Sequence, residues 1–224
     1  MADGEYDLAD LIPDHAVPAV SALPLEHPEP LEPPPPAIAT LGWPALAQRV
    51  AGCSCCPALA EGCPPLFGAG NQTADWLLIG AAPTADEAQQ GEPFTGQEGV
   101  LLGAMLRALG LTREQVYLTN IVKCATPEHR EPTAQEAQAC APYLQRQIAL
   151  VQPRVILLLG RVAAQTLLQC DTPIGKLRGT VHRHEGGAPL VATYHPAYLL
   201  RSPLEKRQAW ADLLLARDAA GGVR

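Results

Sequence analysis

Trp76-Leu77-Leu78-Ile79-Gly80 is five residues long, apolar until its end and closed by glycine. A continuous apolar run of this length reads as a strand buried on both faces, because a strand with one wet face would alternate. Moving outward, Val100, Leu101, Leu102, Met105, Leu106 and Leu109 recur at helical spacing, and Gly110 stops that helix. Residues 116–122 are β-rich. Thr133 with Glu136 three residues on forms a capping box that opens a helix through about Val151. Residues 155–160 read as a third buried strand and 190–194 as a fourth, with a last helix from about Pro203 to Arg217. On the other side, Pro44 to Val50 reads as a short helix leading into Cys53. Strands alternating with helices predict an α/β fold, a three-layer sandwich around a mostly parallel four-stranded sheet. Sites in such sheets gather at the C-terminal ends of the strands, which points to the loops after Gly80, Asn120 and Tyr194.

The ends have a different texture. Residues 1–40 hold eight acids, no Lys or Arg, and nine of the 23 prolines, four of them consecutive at 33–36. Such a segment cannot bury enough apolar surface to order itself, so a disordered acidic tail is expected over 1–40. Its short patch Leu8-Ala9-Asp10-Leu11-Ile12 is a candidate docking peptide for a protein partner. The folded domain is expected over 41–218, with a flexible C-terminus at 219–224. The net charge of −7 comes from the tail, since residues 41–224 carry 15 acids against 16 bases. From 151 onward there are ten bases and five acids, so a positive stripe for phosphates is open to this third of the chain. No apolar run approaches the roughly 18 residues of a membrane span, and residues 1–10 lack the pattern of a secretory signal. A cytoplasmic protein is expected.

Seven cysteines then need a reason, because disulfides are disfavoured in a reducing compartment. Cys53 and Cys56 form a C-x-x-C pair that one tight turn brings to a single metal or cluster edge, and Cys124 and Cys140 could complete a four-sulfur shell. That shell suits zinc or a [4Fe–4S] cluster; scattered buried thiols are the plain alternative. Cys55, Cys63 and Cys170 are spares on this reading.

Six segments, in order, resemble the iron–sulfur (family four) uracil-DNA glycosylases. They are Cys53-Ser54-Cys55-Cys56-Pro57, Gly80-Ala81-Ala82-Pro83-Thr84, Gly91-Glu92-Pro93-Phe94-Thr95-Gly96, Thr119-Asn120-Ile121-Val122-Lys123-Cys124, His129-Arg130-Glu131-Pro132 with Cys140, and His195-Pro196-Ala197-Tyr198-Leu199-Leu200-Arg201. The resemblance spans roughly residues 43–217. It implies a [4Fe–4S] cluster on Cys53, Cys56, Cys124 and Cys140. It further implies action on uracil-containing DNA with the nucleotide flipped out of the stack, and a monomer is expected. Phe94 would be the stacking platform, beside Gly80, Ala81 and Ala82. Asn120 would read O4 and N3–H, and His195 would donate to O2 as negative charge develops there. Tyr198, Leu199, Leu200 and Arg201 would form a loop entering the minor groove, one Leu filling the vacated stack. Lys176, Arg178, Arg183 and Arg201 are candidates for holding phosphates.

Two positions depart from the pattern. Ala81 stands where the family has Glu, and Thr84 where it has Gly. Ala81 cannot orient water or offset charge on the sugar, and Thr84 adds a Cβ where glycine admits close backbone approach. Glu87 is the remaining candidate for that chemistry. The expected function is excision of uracil by N-glycosidic hydrolysis, with weakened catalysis if Glu87 cannot substitute. The alternative is a non-catalytic, glycosylase-like DNA-binding accessory subunit of replication or repair machinery.

Overall fold

A computed structural model describes residues 37–55 and 63–221. Residues 1–36 of the tail expected over 1–40, Cys56 of the C-x-x-C pair and residues 222–224 lie outside the described residues.

In chain order the elements are α1 (Trp43–Ala51), β1 (Ala69–Gly70), β2 (Trp76–Gly80), α2 (Ala85–Gln90), α3 (Gly96–Ala108), β3 (Val116–Asn120), α4 (Ala134–Val151), β4 (Val155–Leu159), α5 (Arg161–Leu168), α6 (Ile174–Leu177), β5 (Val181–Arg183), β6 (Pro189–Thr193), α7 (Pro196–Arg201) and α8 (Lys206–Ala219). The four strands read from apolar runs form the centre of the sheet, all parallel, in the order β3-β2-β4-β6. The four-stranded expectation is corrected to six strands among the described residues: β1 pairs antiparallel outside β3, and β5 antiparallel outside β6. Both additions are short, and β5 is largely exposed, so neither carries the apolar run that marks a buried strand.

Alternate side chains of the central strands go to opposite layers. Leu77, Ile79, Tyr117, Ile156, Leu158, Leu190 and Ala192 meet α4, α5 and α6. Trp76, Leu78, Val116, Leu118, Val155, Leu157 and Val191 meet α3 and α8. Burial on both faces is why these strands are apolar at every position. The capping box of α4 forms as expected, Thr133 Oγ1 accepting from Glu136 N–H and Glu136 Oε2 accepting from Thr133 N–H.

The folded body is slightly larger than residues 41–218. Ile38 packs on the cluster of Leu41, Leu46, Val50 and Tyr143, and Ala220 is buried against α8's neighbours in the core. No helix among the described residues is long and apolar enough to cross a membrane.

The parallel register aligns the strand ends. Gly80 lies opposite Asn120, and Leu159 opposite Thr193, two residues before His195. The turn after β3 is zipped to the loop after β2 by Ile121 N–H to Gly80 O (2.9 Å) and Val122 N–H to Ala81 O (3.1 Å). Beneath it, buried Lys123 Nζ donates to Thr119 Oγ1, Asn120 O and Gln147 Oε1 at 2.7, 2.8 and 2.7 Å.

Candidate functional site

A cleft of about 600 Å³ opens at the C-terminal edge of the sheet. Its walls come from the loop after β2 (Ala81, Ala82, Thr84), from Phe94 and Glu98, from the 126–132 turn, and from the β6–α7 junction. A cleft of this size at the strand ends is where a doubly covered parallel sheet places its ligands.

Gly80 is the point at which two distant segments meet. A Cβ there would collide with Asn120 Oδ1 and stand 2.6 Å from Phe94 Cζ, so glycine is what lets amide and ring come together. Asn120 is 3% exposed, yet its side-chain amide takes no hydrogen-bond partner among the described residues. Buried amides are nearly always paired, so this one keeps a donor and an acceptor for a ligand. The His195 ring lies 5.8 Å from the Phe94 ring, centroid to centroid. The structure therefore brings Phe94, Asn120 and His195 to one place, with Asn120 set behind the open cleft rather than on its wall.

Phe94 is held firmly. Its backbone has φ 55°, the left-handed region that costs a non-glycine residue about 1–3 kcal/mol. Arg113 restrains it, donating to Phe94 O (3.2 Å), Pro93 O (2.7 Å) and Glu92 Oε1 (2.9 Å). Gly99 of α3 presses against the Phe94 carbonyl so closely that no Cβ fits.

His195 caps α7. Its Nδ1 accepts from Ala197 N–H at 3.2 Å, so the neutral ring carries its proton on Nε2. Burial, and then the Arg201 charge, push its pKa down to about 4, which keeps the imidazole neutral near pH 7. Gly160, with φ 94°, lets the end of β4 pass beneath it, where an added Cβ would lie 3.0 Å from His195 Cβ.

The sugar-side expectation changes in its details. Thr84 has ordinary extended backbone (φ −79°, ψ 165°) and is the N-cap of α2. Its Oγ1 accepts from Glu87 N–H at 3.2 Å. Glu87 is buried, and its carboxylate accepts from Thr84 N–H (2.9 Å) and Thr95 N–H (3.2 Å). It ties the loop after β2 to the segment carrying Phe94, so both oxygens already hold backbone.

Residues 198–201, read as a loop, are helical instead. Pro196 at the first helical position after a capping His195 starts α7. Leu199 turns inward at 1% exposure, whereas Leu200 is 38% exposed and Tyr198 and Arg201 face the cleft. Leu200, not Leu199, is the leucine presented to solvent. Arg178 is engaged with the buried Asp212 carboxylate (2.9 Å) and with Gln208, so it is not free for a phosphate; Lys176 and Arg183 are exposed.

The structure also places residues at the cleft that had no role assigned from sequence. Glu98 stands in the first turn of α3. Arg130 is paired with Glu136 (2.6 Å) and Arg161 with Glu131, flanking His129, which has a left-handed backbone at φ 56°. Nothing in local periodicity marks these residues, since only the tertiary turn brings them to the cleft.

The candidate cysteines sit on three different elements. Cys53 follows α1, Cys124 lies in the turn after β3, and Cys140 is in α4. Burial would raise the Cys53 thiol, but hydrogen bonds from the Cys55 backbone and the Tyr143 hydroxyl outweigh it and favour thiolate. Lys123 is wholly buried with only neutral oxygens as hydrogen-bond partners, and burial holds its pKa down to about 7. Cys140 and Cys124 are the groups that pull it back up. Cysteine sulfurs set beside a buried lysine that lacks a carboxylate partner are a donor set that fits a sulfur-ligated group. Among the described residues no three His, Cys, Asp or Glu are assembled around a metal-sized point.

The model of the uracil DNA glycosylase superfamily matches residues 67–214. A type-4 uracil-DNA glycosylase of Archaeoglobus fulgidus is 38% identical over 161 residues, 69% of this chain and 81% of that protein. One from Thermotoga maritima is 37% identical over 158 residues, covering 70% and 82%. A type-5 uracil-DNA glycosylase of Thermus thermophilus is 36% identical over 154 residues, covering 58% and 68%.

Proposed function

Because the chain belongs to the uracil DNA glycosylase superfamily, we propose that it excises uracil from DNA by hydrolysing the N-glycosidic bond of a flipped nucleotide. The observation that carries this reading is the unpartnered Asn120 amide beside the Phe94 ring, with the neutral His195 imidazole 5.8 Å from that ring. A pyrimidine stacked on Phe94 meets an amide that donates to O4 and accepts from N3–H. Cytosine reverses both features and is refused. Since the amide is nearly buried, the base enters alongside the Phe94 ring. His195 Nε2–H then donates to O2, where negative charge gathers as the bond breaks. A neutral donor suits that task, because it is strengthened by charge that appears only in the transition state. Leu200, Tyr198 and Arg201 on α7 face the duplex, Leu200 filling the emptied stack.

Cys53, Cys56, Cys124 and Cys140 would hold a [4Fe–4S] cluster. When bound, it cross-links α1, the turn after β3 and α4 and so stabilises the turn that carries Asn120. Purified protein that is brown, with iron and sulfide in equal amounts, supports this; a colourless protein holding zinc rejects it.

The activity is tested by incubating the chain with uracil-containing single- and double-stranded oligonucleotides and cleaving abasic sites with alkali. Abasic product is expected from both uracil substrates and none from a cytosine control. No product above a heat-killed control overturns the reading and leaves a DNA-binding module without hydrolysis.

A further inference from the structure

Three carboxylates line the cleft: Glu87, Glu98 and Glu131. Two are committed to the fold. Glu87 holds the Thr84 and Thr95 N–H groups, and Glu131 is paired with Arg161. Glu98 is different. It accepts no hydrogen bond among the described residues, and its side chain is 34% exposed toward the cleft. Its Oε2 lies 4.0 Å from His195 Nδ1, too far for a hydrogen bond, and that nitrogen already accepts from Ala197 N–H. So the carboxylate does not hold the imidazole; it stands beside it, facing the same space. Ala81, which lines the same cleft, offers only a methyl group.

We propose that Glu98 is the catalytic carboxylate of this cleft, acting from the first turn of α3 where the loop after β2 has only Ala81. The inference rests on the uracil-excision reading above. As the bond between C1′ and the base nitrogen breaks, its electron pair leaves with uracil and the sugar becomes positive. The Glu98 carboxylate offsets that charge and orders a water. The water oxygen bonds to C1′ and one of its protons passes to Glu98, then to solvent. The uracil anion, held at O2 by His195, takes a proton from solvent. The sum is one water added across one broken C–N bond.

The surroundings suit a base. Burial and the Glu87 charge raise the Glu98 pKa above the usual carboxylate range, against the opposing pull of Arg201 and His129. A higher pKa makes a carboxylate a better proton acceptor. The groups facing it are Glu87 on α2, His195 at the N-cap of α7, Arg201 on α7, and His129 in the turn after β3.

The test compares the full chain, E98Q, E98D and E98Q combined with A81E in single-turnover excision from a uracil oligonucleotide, at pH values from about 5 to about 9. E98Q is expected to be slower by about 10²-fold near neutral pH, the usual effect of losing one electrostatic stabiliser. Its affinity for an abasic-analogue oligonucleotide and its melting temperature should stay at the parent's values. The parent's rate should fall as pH drops through the Glu98 pKa, and E98Q should lack that limb. E98D should recover part of the rate, and A81E should restore the double variant. An E98Q enzyme within roughly threefold of an active parent across the range overturns this inference alone. So does an E98Q whose loss is matched by weaker DNA binding or a lower melting temperature. A parent that releases no uracil defeats the excision reading first, and this inference with it.

Discussion

The two walls of the cleft are built on different principles. On the side proposed to face the base, Phe94 and His195 line the cleft with Asn120 set just behind them, and functional atoms are held ready: an unpartnered amide, a neutral imidazole, and a Phe94 backbone restrained at φ 55° by Arg113. The segment from Ala81 to Glu87, proposed to face the sugar, holds itself. Thr84 caps a helix, Glu87 ties two loops together, and Ala81 offers only a methyl group. One side thus keeps its hydrogen-bonding capacity for a ligand while the other uses it on backbone.

The sharpest way to break that comparison is to strike each wall and see which loses catalysis. Asn120→Ala and His195→Ala should each slow single-turnover excision by about 10²–10³-fold, or about 3–4 kcal/mol, with melting temperature little changed. If either variant keeps the parent's rate, the base-facing wall is not the working one. Glu87→Gln should do the opposite. It weakens two charge-assisted hydrogen bonds and a capping box, and should cost about 2 kcal/mol of stability. For a domain of this size that is a fall of roughly 4–8 °C in melting temperature. A rate loss in Glu87→Gln as deep as in His195→Ala, with no change in melting temperature, would return the chemistry to the sugar-facing wall.

A smaller effect sharpens the picture of His195. Its pKa is about 4 in the folded state, below the ordinary value near 6.5 of an unfolded chain. Between these values the unfolded state binds more protons, so stability rises with pH through that window and is lost as pH falls from about 6.5 toward 4. The contribution is on the order of 1–2 kcal/mol by about pH 5. Comparing melting temperatures of the parent and His195→Gln near pH 5 and pH 7.5 should show a fall specific to the parent; parallel falls would contradict a half-buried neutral imidazole. Smallest of all, Arg201→Ala should weaken DNA binding uniformly across sequences and reduce the salt slope by about 1, as expected for one phosphate contact. An unchanged slope would remove α7's arginine from the DNA-facing surface.

The central sheet was legible because its strands are covered on both faces and therefore apolar at every position. The edge strands were not: Ala69–Gly70 is two residues long, and Val181–Arg183 is mostly wet. At the site, the segments that resemble a known family gave the meeting of Phe94, Asn120 and His195. The part that a loop-by-loop reading missed was local chemistry already written in the sequence. Thr84 and Glu87 have the same spacing as Thr133 and Glu136, and both pairs are capping boxes. Pro196 after His195 is a helix start, which turns the expected loop into α7 and Leu199 into core. Glu98 had no local signal, since an acid in a helix's first turn is also what the helix dipole favours.

Gly99 lies on a helix, one residue from Glu98, with the Phe94 carbonyl pressed against its α-carbon. The position of Phe94 is therefore shaped by an atom that is missing from a neighbouring helix. In a library of random variants, position 99 would behave like part of the recognition surface, and even alanine there would tilt the ring. The tolerance of this enzyme to sequence drift is narrower than a map of its cleft-lining side chains would indicate.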